Sequence, residues 1–333
     1  MSSVVVTGAC GFIGCNVVER LLQLGRDVVA IDREAAWPPD ASERFAALPG
    51  RLSFAAADVR DPRTLADAFA HGSGPITGLV HAAAITPGPE REAHDATLIA
   101  EVNALGTLRV LETARAAGVG RVLFTSSASV YGDAAFPDDG LLREGRDAPL
   151  PNGVYGIAKY AAERFALRAR SLWGLDVVAL RIGGAFGPWE RDSGWRDTFS
   201  GPMLLTRGLL RGERVRAAPG GHHDWVYAPD VADAIVALLT ASRPAHELYH
   251  VSGGAHWTAA DWLEAARASL DRRGVSAEPT DVAWTLPAQP RPRAALSIER
   301  LRPHHTPRFG LTQAVEHYLD WLAQRSSAWH ALW

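Results

Sequence analysis

Tyr155 and Lys159 stand four residues apart in Val154–Trp173, a stretch with a helical pattern. That spacing puts both side chains on one helix face, a turn apart. An ammonium beside a phenol favours the phenolate and lowers the phenol pKa from its ordinary value of ~10. A phenol tuned in this way can take or return the proton of a secondary alcohol. A Tyr-x-x-x-Lys pattern is common and by itself usually structural. Here, however, Lys159 is the only lysine among 34 basic residues; the rest are arginine. An ammonium is a compact point charge and a guanidinium a wide planar fork, so a surviving lysine marks a place where arginine does not serve; chance is the bland alternative. Upstream, Thr125–Gly132 carries several hydroxyls where a strand ends. Ser127 is the residue chosen to bond a substrate oxygen and polarise its carbonyl form. Ser126 and Ser129 read as loop hydrogen-bonders, with Ser129 also kept as a substrate contact. No G-x-S-x-G elbow accompanies them, which disfavours a hydrolase.

The second chemical signal is Thr7-Gly8-Ala9-Cys10-Gly11-Phe12-Ile13-Gly14, between an apolar run and a helical pattern. Gly8 permits a tight turn, Gly11 lets the backbone approach a pyrophosphate, and Gly14 lets the helix pack close to the strand. The helix start at Phe12 and Ile13 offers free N–H groups and a partial positive charge to the anion. Asp32, 18 residues after Gly14, can accept hydrogen bonds from the adenosine ribose, which favours NAD over NADP. Arg33, beside it, can instead receive a 2′-phosphate. Asp58 and Val59 follow the third strand, where an acceptor for an adenine amine and an apolar wall are expected; a simple turn is the alternative.

These groups need a scaffold, and the first 180 residues supply its pattern. Val4–Thr7, Asp27–Ile31, Leu52–Ala56, Gly78–His81, Val122–Thr125 and Val177–Leu180 are continuous apolar runs, as for strands covered on both faces. Phe12–Leu24, Pro62–Phe69, His94–Ala117 and Val154–Trp173 read as helices between them. The alternation predicts an α/β fold, a Rossmann-like doubly wound parallel sheet over residues 1–181. Residues 182–333 read as a smaller, mixed substrate-binding region with some return of the chain to the first domain. It has apolar helical patterns at Met203–Leu210, Val231–Leu239, Ala259–Leu270 and Leu311–Leu322. Thr280–Arg293 is proline-rich and expected to be irregular.

Composition excludes several classes. A formal net charge of −3 over 333 residues argues against a nucleic-acid binder. The uncharged stretch Gly72–Pro89 holds four glycines and three prolines, so no membrane span is expected. Cys10 and Cys15 are too few for a disulfide framework, and a cytoplasmic setting is the default. His222-His223 and His304-His305 lack zinc-ligand spacing, so no metal is expected.

Taken with His81–Ala84, Asn103, Gly106-Thr107, Arg181, Asp224–Tyr227 and Asp230–Ala232, these motifs make the whole chain resemble the extended short-chain dehydrogenase/reductases of the NAD-dependent epimerase/dehydratase family. The resemblance implies tightly held NAD, a Ser127–Tyr155–Lys159 catalytic set, Ala82 and Ala83 along the cofactor, and Asn103 tying its helix to the active-site strands. It also implies a homodimer paired through two long helices. Sugar dehydratases of the family place an Asp–Glu pair after the catalytic hydroxyl, where this chain has Ala128 and Ser129; the loop is more similar to that of UDP-galactose 4-epimerases. Two positions depart from the nucleotide-sugar pattern. His222-His223-Asp224 lacks an arginine that grips a diphosphate, and Gly184 replaces an asparagine. Arg191, Arg196, Arg291 and Arg293 are candidate substitutes. His223, Trp189 and Ser129 are the expected substrate contacts, with tryptophan suited to stacking on a sugar face. The expected activity is an NAD-dependent epimerase/dehydrogenase acting on a sugar-like secondary alcohol. The alternatives are a plain dehydrogenase or reductase on a small sugar, sugar acid or other hydroxylated substrate, and a non-catalytic NAD-binding regulator.

Overall fold

The structure is a computed structural model that describes residues 2–72, 74–218, 223–275, 280–286 and 294–327. Seven strands form the central sheet: β1 (Ser3–Thr7), β2 (Asp27–Asp32), β3 (Leu52–Ala56), β4 (Ile76–His81), β5 (Arg121–Ser127), β6 (Val177–Ile182) and β7 (Leu248–Val251). All are parallel, in the order β7-β6-β5-β4-β1-β2-β3. The apolar runs are continuous because alternate residues feed two different cores. Val4 and Val6 face one cluster and Val5 the other; Leu123 faces the first, Val122 and Phe124 the second.

The crossover helices include α1 (Phe12–Gln23), α2 (Pro62–Phe69), α3 (Thr107–Ala116), α4 (Val154–Trp173) and α5 (Ala228–Thr240). The expected helix His94–Ala117 is instead broken into four pieces. Helical turns at Pro89–His94 and Ala96–Ala100 lead into a π-helical turn, Glu101–Gly106, which continues as α3.

From the C-terminal half, β7 joins the central sheet beside β6. The rest of the C-terminal half packs helices Gly201–Leu210, Ala259–Arg272 and Leu311–Ala323 with a short parallel pair, Arg214–Ala217 on Ala283–Leu286. That pair corrects part of the irregular reading of 280–293: Trp284 packs on the core and its indole N–H bonds Glu213 (2.6 Å). Residues 287–293 lie outside the described residues. Among the described residues no helix is long and apolar enough to cross a membrane.

Candidate active site

After β1 the chain turns at Gly8 with φ +70°, a conformation that favours glycine. A Cβ at Gly14 would stand 2.0 Å from the Gly8 carbonyl oxygen, so the absence of a side chain lets α1 start this close to the strand. A Cβ at Gly11 would meet only that same oxygen, at 3.1 Å. The α1 N-terminus has no side-chain cap and no acidic residue in its first turn, which leaves its dipole uncompensated. Phe12 and Ile13 stand on the same wall.

A cavity of about 650 Å³ runs over this loop and along the carboxyl ends of the strands. That is a volume suited to a small ligand or cofactor. It lies where the strand order reverses between β1 and β4, the usual ligand crevice of open parallel sheets.

At the β2 end of the cavity the Asp32 carboxylate accepts Cys10 N (3.0 Å) and Arg33 N (2.9 Å). Burial pushes its pKa up against the pull of those bonds. Arg33 turns its guanidinium over the Trp195 ring, 3.8 Å from the centroid. Asp58 also lines the cavity, but Arg60 Nη2 (2.7 Å) and Nε (3.1 Å) already grip it and hold its carboxyl below the ordinary range. Val59, Ala82 and Ala83 complete this wall. Asn103 does not reach it. Its amide is buried, accepting Ile85 N (2.8 Å) and donating to Ile85 O (2.9 Å), so it shapes the cavity through the loop after β4.

Ser127 ends β5, while Tyr155 and Lys159 rise from the first turns of α4; all three line one cavity. The Ser127 Oγ accepts the Ser129 hydroxyl (2.9 Å) and Ser129 N (3.2 Å). Ser129 thus both orients Ser127 and faces the cavity. Ser126 also borders the cavity, and its hydroxyl donates to Glu163 (2.7 Å).

The expected tuning of the phenol by Lys159 is corrected. Burial raises the Tyr155 pKa, and what opposes it is the Ser127 hydroxyl, the Arg196 charge and the Thr86 hydroxyl. Lys159 is itself only 2% exposed, with Nζ 4.6 Å from the Phe124 ring centroid. Loss of hydration pulls its pKa down to about 7, against the opposing charge of Glu163.

Two substrate expectations separate. His223 lines the cavity, tilted against Trp225 at 4.9 Å. Trp189 does not: it is 1% exposed, donates its indole N–H to Glu19 (2.7 Å), and packs on Phe45 and Trp321. Sugar-stacking and core tryptophans look alike in sequence, and here the core claimed it. Trp195, six residues on, lines the cavity, as does Trp225. Arg191 and Arg196 line it too, whereas His222, Arg291 and Arg293 lie outside the described residues. Sequence reasoning missed Thr86 and Glu163. Glu163 was findable, standing one helical turn beyond Lys159 on the same face; Thr86 carries no local signal.

Residues 4–252 match the profile of the NAD dependent epimerase/dehydratase family. The chain belongs to that family. Its relatives span two chemistries. The UDP-glucose 4-epimerase of Mycolicibacterium smegmatis is 32% identical over 236 residues, covering 69% of this chain and 71% of that one. The dTDP-glucose 4,6-dehydratase of Streptomyces niveus is 27% identical over 341 residues, covering 99% and 95%. Among solved structures, MoeE5 in complex with UDP-glucuronic acid and NAD superposes with a TM-score of 0.76 at 28% identity, over 97% of this chain and 99% of that one. Membership makes this an enzyme of the extended short-chain dehydrogenase/reductase type with NAD as its cofactor.

Proposed function

We propose that the protein is an epimerase/dehydrogenase that oxidises a secondary alcohol of a sugar or sugar-like substrate, with Tyr155 as its acid/base. The observation that carries this reading is the meeting of Ser127, Tyr155 and Lys159 in the cavity that also holds the Gly8–Gly14 loop.

The residues present fit a dinucleotide. The uncapped α1 N-terminus suits a pyrophosphate. Asp32 accepts only two backbone N–H groups among the described residues, leaving capacity for ribose hydroxyls. Gly8, Gly11, Phe12, Ile13, Gly14, Asp32, Arg33, Asp58, Val59, Ala82 and Ala83 would hold it, with Tyr155 and Lys159 towards the nicotinamide ribose and Asn103 acting through Ile85. Bound NAD supplies the two-electron acceptor and donor. Ser127 donates to the substrate oxygen and steadies it as it becomes a carbonyl. Tyr155 Oη takes the hydroxyl proton in the oxidation and gives it back in the reduction. The Ser127 and Thr86 hydroxyls and the Arg196 charge are what oppose the burial that holds the phenol up.

Ala128 and Ser129 follow Ser127, and neither can protonate a leaving hydroxyl or abstract a carbon-bound proton. This separates the chain from the chemistry of its dehydratase relatives. A second reading, net oxidation or reduction of a substrate without a nucleotide, draws on His223 and Trp225, which place aromatic surface where the family's diphosphate grip is expected. A homodimer belongs to the same proposal, with the exposed Leu105 and Ile157 on the helices that would pair.

Purified enzyme incubated with UDP- and dTDP-sugars, and with free sugars and sugar acids, tests it. Expected is an epimerised product without accumulation of NADH; steady NADH production supports the second reading. Tyr155→Phe should lower turnover by about 10²–10⁴-fold while NAD stays bound. Unchanged turnover overturns the assignment.

A further inference from the structure

Residues 190–198 cross the mouth of the cavity and are anchored on both sides of it. On one flank, Trp195 O accepts Thr86 N (2.8 Å) and Asp197 N donates to Thr86 O (2.9 Å), a parallel bridge to the loop after β4. The Asp197 carboxylate then accepts Gly88 N (3.0 Å) and two bonds from Arg91 (2.6 and 3.0 Å), and Arg91 also donates to Gly194 O (3.0 Å). On the other flank, Arg191 donates to Ala36 O (2.7 Å) and the Arg33 guanidinium stacks on Trp195, while Arg191 also touches the loop between the two flanks at Cys10 O (3.2 Å). Arg33 and Ala36 follow β2, Cys10 follows β1, and Thr86 follows β4. In the sheet these strands are neighbours in the order β2, β1, β4. A segment tied to the outer two loops must pass over the middle one, the Gly8–Gly14 loop.

We propose that residues 190–198 are a strap across the dinucleotide, latched by the Arg33–Trp195 stack, which keeps NAD bound through successive turnovers. The proposal rests on the reading above only in seating the dinucleotide on the Gly8–Gly14 loop. A ligand on that loop lies beneath the strap and leaves only when one flank opens. The β4 flank is a backbone bridge reinforced by a bidentate ion pair, the tighter kind of tie. The β2 flank relies on a carbonyl contact and a cation–ring contact, so it is the side that opens. The latch also turns Arg33 towards the strap, away from the role of receiving a 2′-phosphate. Retention suits a cycle in which the electrons taken from the substrate are returned to it, so that no cofactor exchange is needed.

The test measures NAD release without any sugar present. Protein saturated with NAD is diluted into a fluorescent NAD analogue, and the exchange rate is followed for wild type, Trp195→Ala, Arg33→Lys and Asp197→Asn. Wild type should keep its NAD through gel filtration. Trp195→Ala should release it about tenfold faster, the loss of one cation–ring contact. Arg33→Lys, which keeps the charge but loses the planar stack, should lie between. Asp197→Asn opens the other flank and should also accelerate release. Release from Trp195→Ala and Asp197→Asn within twofold of wild type overturns the strap, as does a wild type that loses NAD on filtration. Should one variant fail to fold, the half-exposed Arg33 and the exposed Asp197 keep the question answerable. Failure to find a sugar substrate counts against the proposed function and leaves the release rates readable.

Discussion

Lys159 sits on a helix face between an aromatic ring and a buried carboxylate. The ring removes water from the ammonium, and Glu163, one turn along, returns only part of the lost stabilisation. The result is a lysine whose pKa is about 7 in the fold against ~10.4 in an unfolded chain. The sign of the linkage follows. Between those two values the unfolded chain binds more protons, so stability rises with pH. Below pH 7 the cost of charging Lys159 is fully present, and it fades as pH climbs towards 10. Lys159→Met should therefore stabilise protein stripped of NAD, by on the order of a few kcal/mol at pH 6. Its advantage should shrink steadily to pH 10. Thermal or denaturant melts of both proteins across that range check this, and a pH-independent difference would show that Lys159 is not titrating there. The same variant should lose turnover, since it removes the ammonium that stands beside Tyr155 and Ser127 in the cavity and would hold the nicotinamide ribose.

The π-helical turn Glu101–Gly106 shows what an element can owe to its surroundings. The Asn103 amide closes on both backbone groups of Ile85, and the Thr107 hydroxyl donates to Asn103 O (2.8 Å) while meeting His81 Nε2 (2.9 Å). His81 Nδ1 in turn meets the Thr7 hydroxyl (2.6 Å). With Thr107 already donating, Nε2 carries the imidazole proton and Nδ1 accepts from Thr7. Burial and the nearby Lys159 charge keep the ring neutral, its pKa lowered to about 3. The turn thus docks the cavity loop, β4 and β1 together, as π-turns often do beside functional sites. Asn103→Ala leaves a buried N–H and C=O unpaired and should cost about 2–4 kcal/mol in chemical denaturation. Asn103→Asp should not rescue it, because its second oxygen would face the Ile85 carbonyl. This is also where sequence reading stops. The strands were legible because both-face burial writes a local signature, and the Gly8–Gly14 loop because it must turn and pack closely. The widened turn was not, since Ile85 and His81 impose it from other parts of the chain. The reading of Trp189 failed for the same reason: which indole meets the core and which the cavity depends on Glu19, Trp321 and Arg33, all distant in sequence.

At the scale of the whole molecule, one buried polar chain joins the site to the C-terminal half. Glu163 on α4, fully buried, is gripped by Arg181 on β6 through two bonds (2.9 and 2.6 Å) and also accepts the Ser126 hydroxyl on β5. Arg181 Nη1 donates to the Tyr131 hydroxyl (2.7 Å), which meets His250 Nε2 on β7 (2.7 Å). His250 Nδ1 lies 3.1 Å from Ser297 O. A carbonyl can only accept, so Nδ1 carries the proton, Nε2 accepts from Tyr131, and every bond runs one way from the guanidinium to Ser297. Burial keeps His250 neutral, with its pKa lowered to about 3, and raises Tyr131 to about 12. The direction of the chain therefore does not change across ordinary pH. It fixes β5, β6, β7 and α4 relative to residues 294–298, and so places Ser127 and Lys159 against the far wall of the cavity. A buried ion pair is a weak source of net stability, but removing one partner strands the other. Glu163→Leu and Arg181→Met should each destabilise by about 3–5 kcal/mol. The double variant, with no charge left to strand, should cost less than the sum by several kcal/mol. Denaturant unfolding of the four proteins gives the coupling directly. Additive losses would mean that the two side chains are held by their separate neighbours and that the pair does not act as a unit.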